Sequence, residues 1–214
     1  MAQAFLVAMV LVAIAELGDK TQMLSLVLAS RYPPRRVFAG VLIAVIVLQS
    51  IATVAGGLVG SVIPAGLLAG LTAVLFTGFG VWTLFDAERP GGIEDPRVDG
   101  RSAVATVLAV AAAFFLAELG DKTQVLTFAV AADPGIVART LSGLGLEVLE
   151  PPSGLGAYVG VWLGSTAGMM LVNGVAIAAG AAIGARVSRR TIGRVSGVGF
   201  VVFGIGTAVA YLLG

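Results

Sequence analysis

The sequence predicts an all-α integral membrane protein in which six transmembrane helices form two three-helix repeats of inverted topology. Three observations lead there. The 214 residues are 58% hydrophobic and 12% charged, with a mean hydropathy of +1.02, whereas a soluble domain carries about 25% charge. Apolar runs able to cross roughly 30 Å of hydrocarbon fall near 3–29, 37–61, 66–85, 103–131, 157–184 and 195–213. The octapeptide Ala-Glu-Leu-Gly-Asp-Lys-Thr-Gln occurs twice, at 15–22 and 117–124, midway along the first and fourth runs.

Span 1 opens without a basic n-region and runs straight into the first motif, so it reads as a span rather than a cleaved signal peptide. Span 2 follows Pro33 and Pro34, and span 3 completes the first repeat, residues 1–85. Residues 86–102, rich in Asp, Glu, Gly and Pro, form a cytoplasmic linker. Its acids Asp86, Glu88, Glu94, Asp95 and Asp99 read as a solvated connector, with gathering of cations at the cytoplasmic mouth as the alternative. Span 4 opens the second repeat, residues 103–214. An external loop at about 132–156 follows, in which 141–150 has the pattern of a short amphipathic surface element. Spans 5 and 6 close the chain. All eight prolines lie between the apolar runs, where they punctuate helices instead of breaking them.

The repeat extends beyond the motif. Spans 1 and 4 align at an offset of 102, spans 2 and 5 at 124, so that Gly40, Gln49, Gly56 and Gly60 pair with Gly164, Asn173, Gly180 and Gly184. Phe79-Gly80-Val81-Trp82-Thr83 in span 3 pairs with Phe203-Gly204-Ile205-Gly206-Thr207 in span 6 at the same offset. The change from 102 to 124 puts 22 extra residues in the external loop. With three spans per half, the halves face opposite ways, as in many secondary transporters. Gly156, Gly160, Gly164 and Gly168 recur every fourth residue, a spacing that lets helix backbones approach closely in lipid.

Charge asymmetry gives orientation. Arg31, Arg35 and Arg36 follow span 1, Arg89, Arg97 and Arg101 follow span 3, and Arg186, Arg189, Arg190 and Arg194 follow span 5; only Arg139 falls on the other side. Ten against one makes those three loops cytoplasmic and both termini external, and the arginine bias suits a prokaryotic inner membrane.

The motifs bury six ionisable groups at membrane depth: Glu16, Asp19, Lys20, Glu118, Asp121 and Lys122. An ionisable group there marks a functional site by default. The chain has neither Cys nor His, so a metal site must be built from oxygen, and a proton must ride on a carboxylate. On a helix, Glu16, Asp19 and Gln22 share one face, as do Glu118, Asp121 and Gln124. Four carboxylates and two amides meeting across a pseudo-twofold axis supply enough oxygen for Mg²⁺, Mn²⁺ or Ca²⁺. Thr21 and Thr123 point elsewhere on a regular helix and would join only if it unwound. Gly18 and Gly120 could permit that unwinding or simply allow close packing. Lysine occurs only in the motifs, every loop cation being arginine. Lys20 and Lys122 would pair with motif carboxylates in the absence of metal, or form structural salt bridges. Met23 reads as packing, since its repeat partner is Val125. Four acids against two lysines leave two negative charges, which one divalent cation or two protons would balance.

The paired Glu-Leu-Gly-Asp-Lys-Thr motifs resemble the signature of a family of small membrane proteins regarded as calcium/manganese cation–proton exchangers. It includes bacterial manganese exporters and Golgi and chloroplast manganese/calcium transporters. The resemblance covers essentially the whole chain, and both motifs match without departure. It implies that Glu16, Asp19, Glu118 and Asp121 are the core cation ligands, and that the cation is cargo rather than a resident cofactor.

The expected activity is divalent cation/proton antiport by alternating access, one half rocking against the other while metal and protons compete for the same oxygens. Partners are membrane lipid and the divalent ion, with no nucleic acid; oligomerisation of the chain is left open. An exporter of a small organic solute, such as an amino acid, is the alternative transporter. An intramembrane metalloenzyme would need an activated nucleophile or an open metal position with a general base, and no second polar constellation provides one.

Overall fold

The computed structural model describes residues 1–17, 19–62, 102–119, 121–143 and 151–182, with isolated positions between 64 and 81 and between 198 and 209. The described residues form seven helices and no strand: α1 (Ala2–Glu16), α2 (Lys20–Arg31), α3 (Pro34–Gly60), α4 (Ala103–Glu118), α5 (Lys122–Ala132), α6 (Ile136–Gly143) and α7 (Leu155–Ala182). Two of these, α3 and α7, are individually long and apolar enough to cross a membrane, and α4 with α5 qualifies as one bent span. Most of spans 3 and 6 and nearly all of the 86–102 linker lie outside the described residues. Of the surface element expected at 141–150, residues 141–143 end the amphipathic helix Ile136–Gly143, and 144–150 lie outside the described residues.

The long helices show why the chain suits lipid. Alternate faces of α3 are buried (Val37, Val41, Ala44, Val45, Leu48) and exposed (Ile43, Ile46, Val47, Ile51, Val54, Leu58), and the exposed face is as apolar as the buried one. In water such a surface would be covered or would aggregate; against acyl chains it is at rest.

Both motifs interrupt their helices, the outcome left open in sequence beside a regular helix. α1 stops at Glu16 and α2 restarts at Lys20, with Leu17 (ψ 122°) and Asp19 (ψ 165°) extended between them. α4 stops at Glu118 and α5 restarts at Lys122, with Leu119 (ψ 113°) and Asp121 (ψ 168°) in the same conformation. The two halves of this second helix diverge by 73°. Each break is closed by the same turn, in which the Asp19 amide donates to the Glu16 carbonyl (3.2 Å) and the Asp121 amide to the Glu118 carbonyl (3.0 Å). Backbone that leaves the helix at membrane depth is tolerated only when enclosed by protein or lining a cavity, and here Glu16, Asp19 and Glu118 are buried.

The broken helices are seated by glycines. α1 and α2 pack on α7, whereas α4 and α5 pack on α3. A Cβ at Gly164 would run into the Phe5 carbonyl, and one at Gly40 into the Val107 carbonyl. These are equivalent contacts, since 40 plus 124 is 164 and 107 minus 102 is 5. The same holds lower down, where Gly56 meets the Phe128 carbonyl and Gly180 the Leu26 carbonyl. Gly160 and Gly168 extend the seam along α1 toward Met1 and Met9. Only a hydrogen atom fits at these positions, so glycine sets how closely the motif helices approach. The core that results contains Val12, Leu28, Val41, Val45, Val110, Phe114, Val161 and Met169.

Candidate metal centre

The two breaks bring both motifs to one place. Asp19, Glu118 and Asp121 each offer a carboxylate oxygen, and these oxygens all lie within 4.8 Å of one another. Lys122 donates from Nζ to Asp19 Oδ1 at 2.7 Å, which ties the second motif to the first through a buried ion pair. Glu16 is fully buried, within coulombic reach of Asp19, Lys122 and Glu118. Asp19 and Asp121 occupy the N-cap positions of α2 and α5 without making a side-chain cap. Their carboxylates are therefore not spent on helix amides. The positive ends of two half-helices nonetheless lie beside them.

Unwinding changes what the threonines can reach. Thr21 Oγ1 donates to Glu16 Oε1 at 2.8 Å, and Thr123 Oγ1 to Glu118 Oε2 at 3.0 Å. On a continuous helix, residues five apart would not meet in this way. Thr21 also lies 3.4 Å from Asp19 Oδ2.

Two residues of α3 and α7 complete the polar centre. Asn173, wholly buried on α7, donates from Nδ2 to Glu16 Oε1 at 2.9 Å and to the Met169 carbonyl at 3.1 Å, and its Oδ1 accepts from Ser25 Oγ at 2.7 Å. The repeat partners of Asn173, Ser25 and Glu16 are Gln49, Thr127 and Glu118, and this second set is not joined up. Gln49 Nε2 donates instead to Met169 Sδ at 3.4 Å, a weak acceptor. Gln49 Oε1, Thr127 Oγ1 and Glu118 Oε1 are all buried without a hydrogen-bond partner.

Of the residues picked out in sequence, Asp19, Glu118 and Asp121 form the carboxylate cluster, with Glu16 adjoining it. Thr21, Thr123 and Lys122 contact it directly. Gln22 and Gln124 lie in the first turns of α2 and α5, half-buried and partnered. Lys20 begins α2; its side chain, with that of Met23 and all of Gly18 and Gly120, lies outside the described residues. Asn173 and Ser25 were not picked out as site residues, although Gln49 and Asn173 are the only side-chain amides in two long apolar helices and align at the repeat offset.

Carboxylates from two broken helices converge between apolar faces, an oxygen-rich arrangement of the kind that suits hard cations. The profile of the GDT1 divalent cation/proton antiporters matches residues 4–91 and 155–212, and the chain belongs to that family of transporters, not to an enzyme family. It is 27% identical to "GDT1-like protein 5" of Arabidopsis thaliana, over 95% of this chain and 94% of the relative. It is 34% identical to a Vibrio cholerae protein named "Putative manganese exporter", over 76% of this chain and 68% of the relative. "GDT1-like protein sll0615" of Synechocystis is 28% identical over 96% of each chain. No solved structure matches the chain. The chain is a membrane transporter of divalent cations.

Proposed function

We propose that this transporter exchanges Mn²⁺ or Ca²⁺ for protons and exports the metal from the cytoplasm. Glu16, Asp19, Glu118 and Asp121 hold the ion, and Gln22 and Gln124 complete its oxygen shell. The observation that carries this reading is the meeting of Asp19, Glu118 and Asp121 oxygens within 4.8 Å, from two motifs a hundred residues apart in sequence. Three carboxylates at such spacing, with Glu16 adjoining them, carry more negative charge than Lys122 balances, so metal and protons compete for them. Protons arriving from outside release the metal, and Lys122 then balances part of the charge through Asp19. With more than two protons per ion, a membrane potential assists export by about 2.3 kcal/mol per net charge per 100 mV.

Glycine contacts that repeat at offsets of 102 and 124 support two inverted repeats, residues 1–85 and 103–214, joined by the 86–102 linker. The arginine asymmetry supports external termini and a prokaryotic inner membrane, and the Vibrio relative's name supports manganese as cargo. Proteoliposomes given a pH jump test the scheme directly: Mn²⁺ or Ca²⁺ uptake should follow the proton gradient, and indifference to that gradient would refute antiport. Glu16→Gln and Asp121→Asn should each reduce uptake to background while the protein still inserts and folds. Normal uptake by either variant removes its residue from the site.

A further inference from the structure

The two halves of the polar centre have the same composition but different hydrogen bonding. In the first, a continuous chain runs from Ser25 through Asn173 to Glu16. In the second, Gln49 Oε1 and Thr127 Oγ1 are buried without partners, while one oxygen of each glutamate, Glu16 Oε2 and Glu118 Oε1, is bare in both halves. If Gln49 copied Asn173, its Nε2 would join Thr123 on Glu118 Oε2 and its Oε1 would accept from Thr127 Oγ1, which would satisfy both the amide oxygen and the hydroxyl. Buried polar groups without partners are rare in folded proteins, and each calls for an explanation.

We propose that Gln49 and Asn173 are a matched pair of positioning residues that clamp the two motif glutamates in alternation, so that the polar centre is a two-position latch. In the state seen, Asn173 clamps Glu16 against Ser25 and Gln49 rests on the Met169 sulfur. In the opposite-facing state Gln49 clamps Glu118 against Thr127, and Asn173 lets Glu16 go. Each position joins one amide to its hydroxyl and glutamate and leaves the other amide apart, which keeps the two states near in energy, as a transporter that must visit both requires. The resting place is one-sided: the repeat partner of Met169 is Val45, which offers Asn173 no acceptor. That difference biases the empty protein toward the state described.

The inference rests on alternating access in the reading above, so its test is made without metal or transport. The apolar near-isosteres Asn173→Leu and Gln49→Met are compared with the native chain by amide hydrogen exchange of the metal-free protein in lipid nanodiscs. Asn173→Leu should speed exchange in α2, which loses its tie to α7, and slow it in α5, which gains the Gln49 clamp. Gln49→Met should do the reverse, with a change of about tenfold in the ratio of the two states, the effect of one buried hydrogen bond. Ser25→Ala and Thr127→Val remove only a hydroxyl and should reproduce the two patterns in weaker form, which guards against a variant that fails to fold. Coupled changes of opposite sign in the two broken helices support the latch. Loosening confined to the helix nearest each substitution, or no change, overturns it. Mn²⁺ titration of the same variants should leave affinity within about tenfold of native. If the native chain itself failed to bind metal, the proposed cargo would fall while the exchange result stood.

Discussion

Lys122 is the group whose removal most directly reports on how the empty centre is held. Its Nζ lies 2.7 Å from Asp19 Oδ1, with both side chains at least nine-tenths buried. At an effective dielectric near 20 the attraction is about 6 kcal/mol, and breaking a buried pair by removing one partner costs about 3–5 kcal/mol. A metal ion entering the cluster must displace this ammonium from Asp19 and bind against its charge. Lys122→Met removes the competitor and leaves a more negative site. If a quarter to a half of the attraction returns as metal affinity, Mn²⁺ binds about 10- to 100-fold more tightly, at about 1.4 kcal/mol per tenfold. The empty variant should unfold at lower temperature, because Asp19 is left buried without its cation. Saturating Mn²⁺ should restore most of that loss by mass action. Isothermal titration with Mn²⁺ at fixed pH measures the affinity, and proteoliposome uptake should slow because the ion leaves reluctantly. A folded Lys122→Met protein that binds Mn²⁺ no better than the native chain would refute the view that the lysine and the metal contend for Asp19.

Gly164→Ala drives a methyl into the Phe5 carbonyl, an overpacking that costs about 1–3 kcal/mol and should lower the thermal unfolding midpoint followed by circular dichroism. Gly174→Ala meets only Phe38 Cε2 at 3.8 Å and should be neutral or stabilising, since alanine is the better helix former by about 1 kcal/mol. Thr21→Val and Thr123→Val each delete the hydroxyl that holds a motif glutamate. Each should raise the KM for metal uptake about tenfold, the scale of one hydrogen bond to a charged group, with little change in protein yield.

Much of the arrangement was legible in sequence because a duplicated chain carries its own alignment. The offsets of 102 and 124 pair Gly40 with Gly164 and Gly56 with Gly180, and these residues make equivalent contacts. The confinement of lysine to the two motifs pointed to pairing with a motif carboxylate, without saying which, and Lys122 lies on Asp19. What spacing could not give was the break in the helix. Residues three apart in an apolar run suggest a single helical face, yet Glu16 and Asp19 meet their partners because Leu17 and Asp19 are extended. Helical periodicity carries no signal for so short a departure from the helix. Asn173 was missed for a different reason: a lone amide in an apolar helix was aligned with Gln49, but distance in sequence hid that it lies against Glu16.

The glycine seams also decide which pieces of the molecule can travel together. Each broken helix nests against the long helix of the opposite repeat, so α1 and α2 are wedded to α7, and α4 and α5 to α3. Rocking of one sequence half against the other would tear both seams open. The natural rigid blocks are crossed instead, each borrowing its broken helix from one repeat and its long helix from the other.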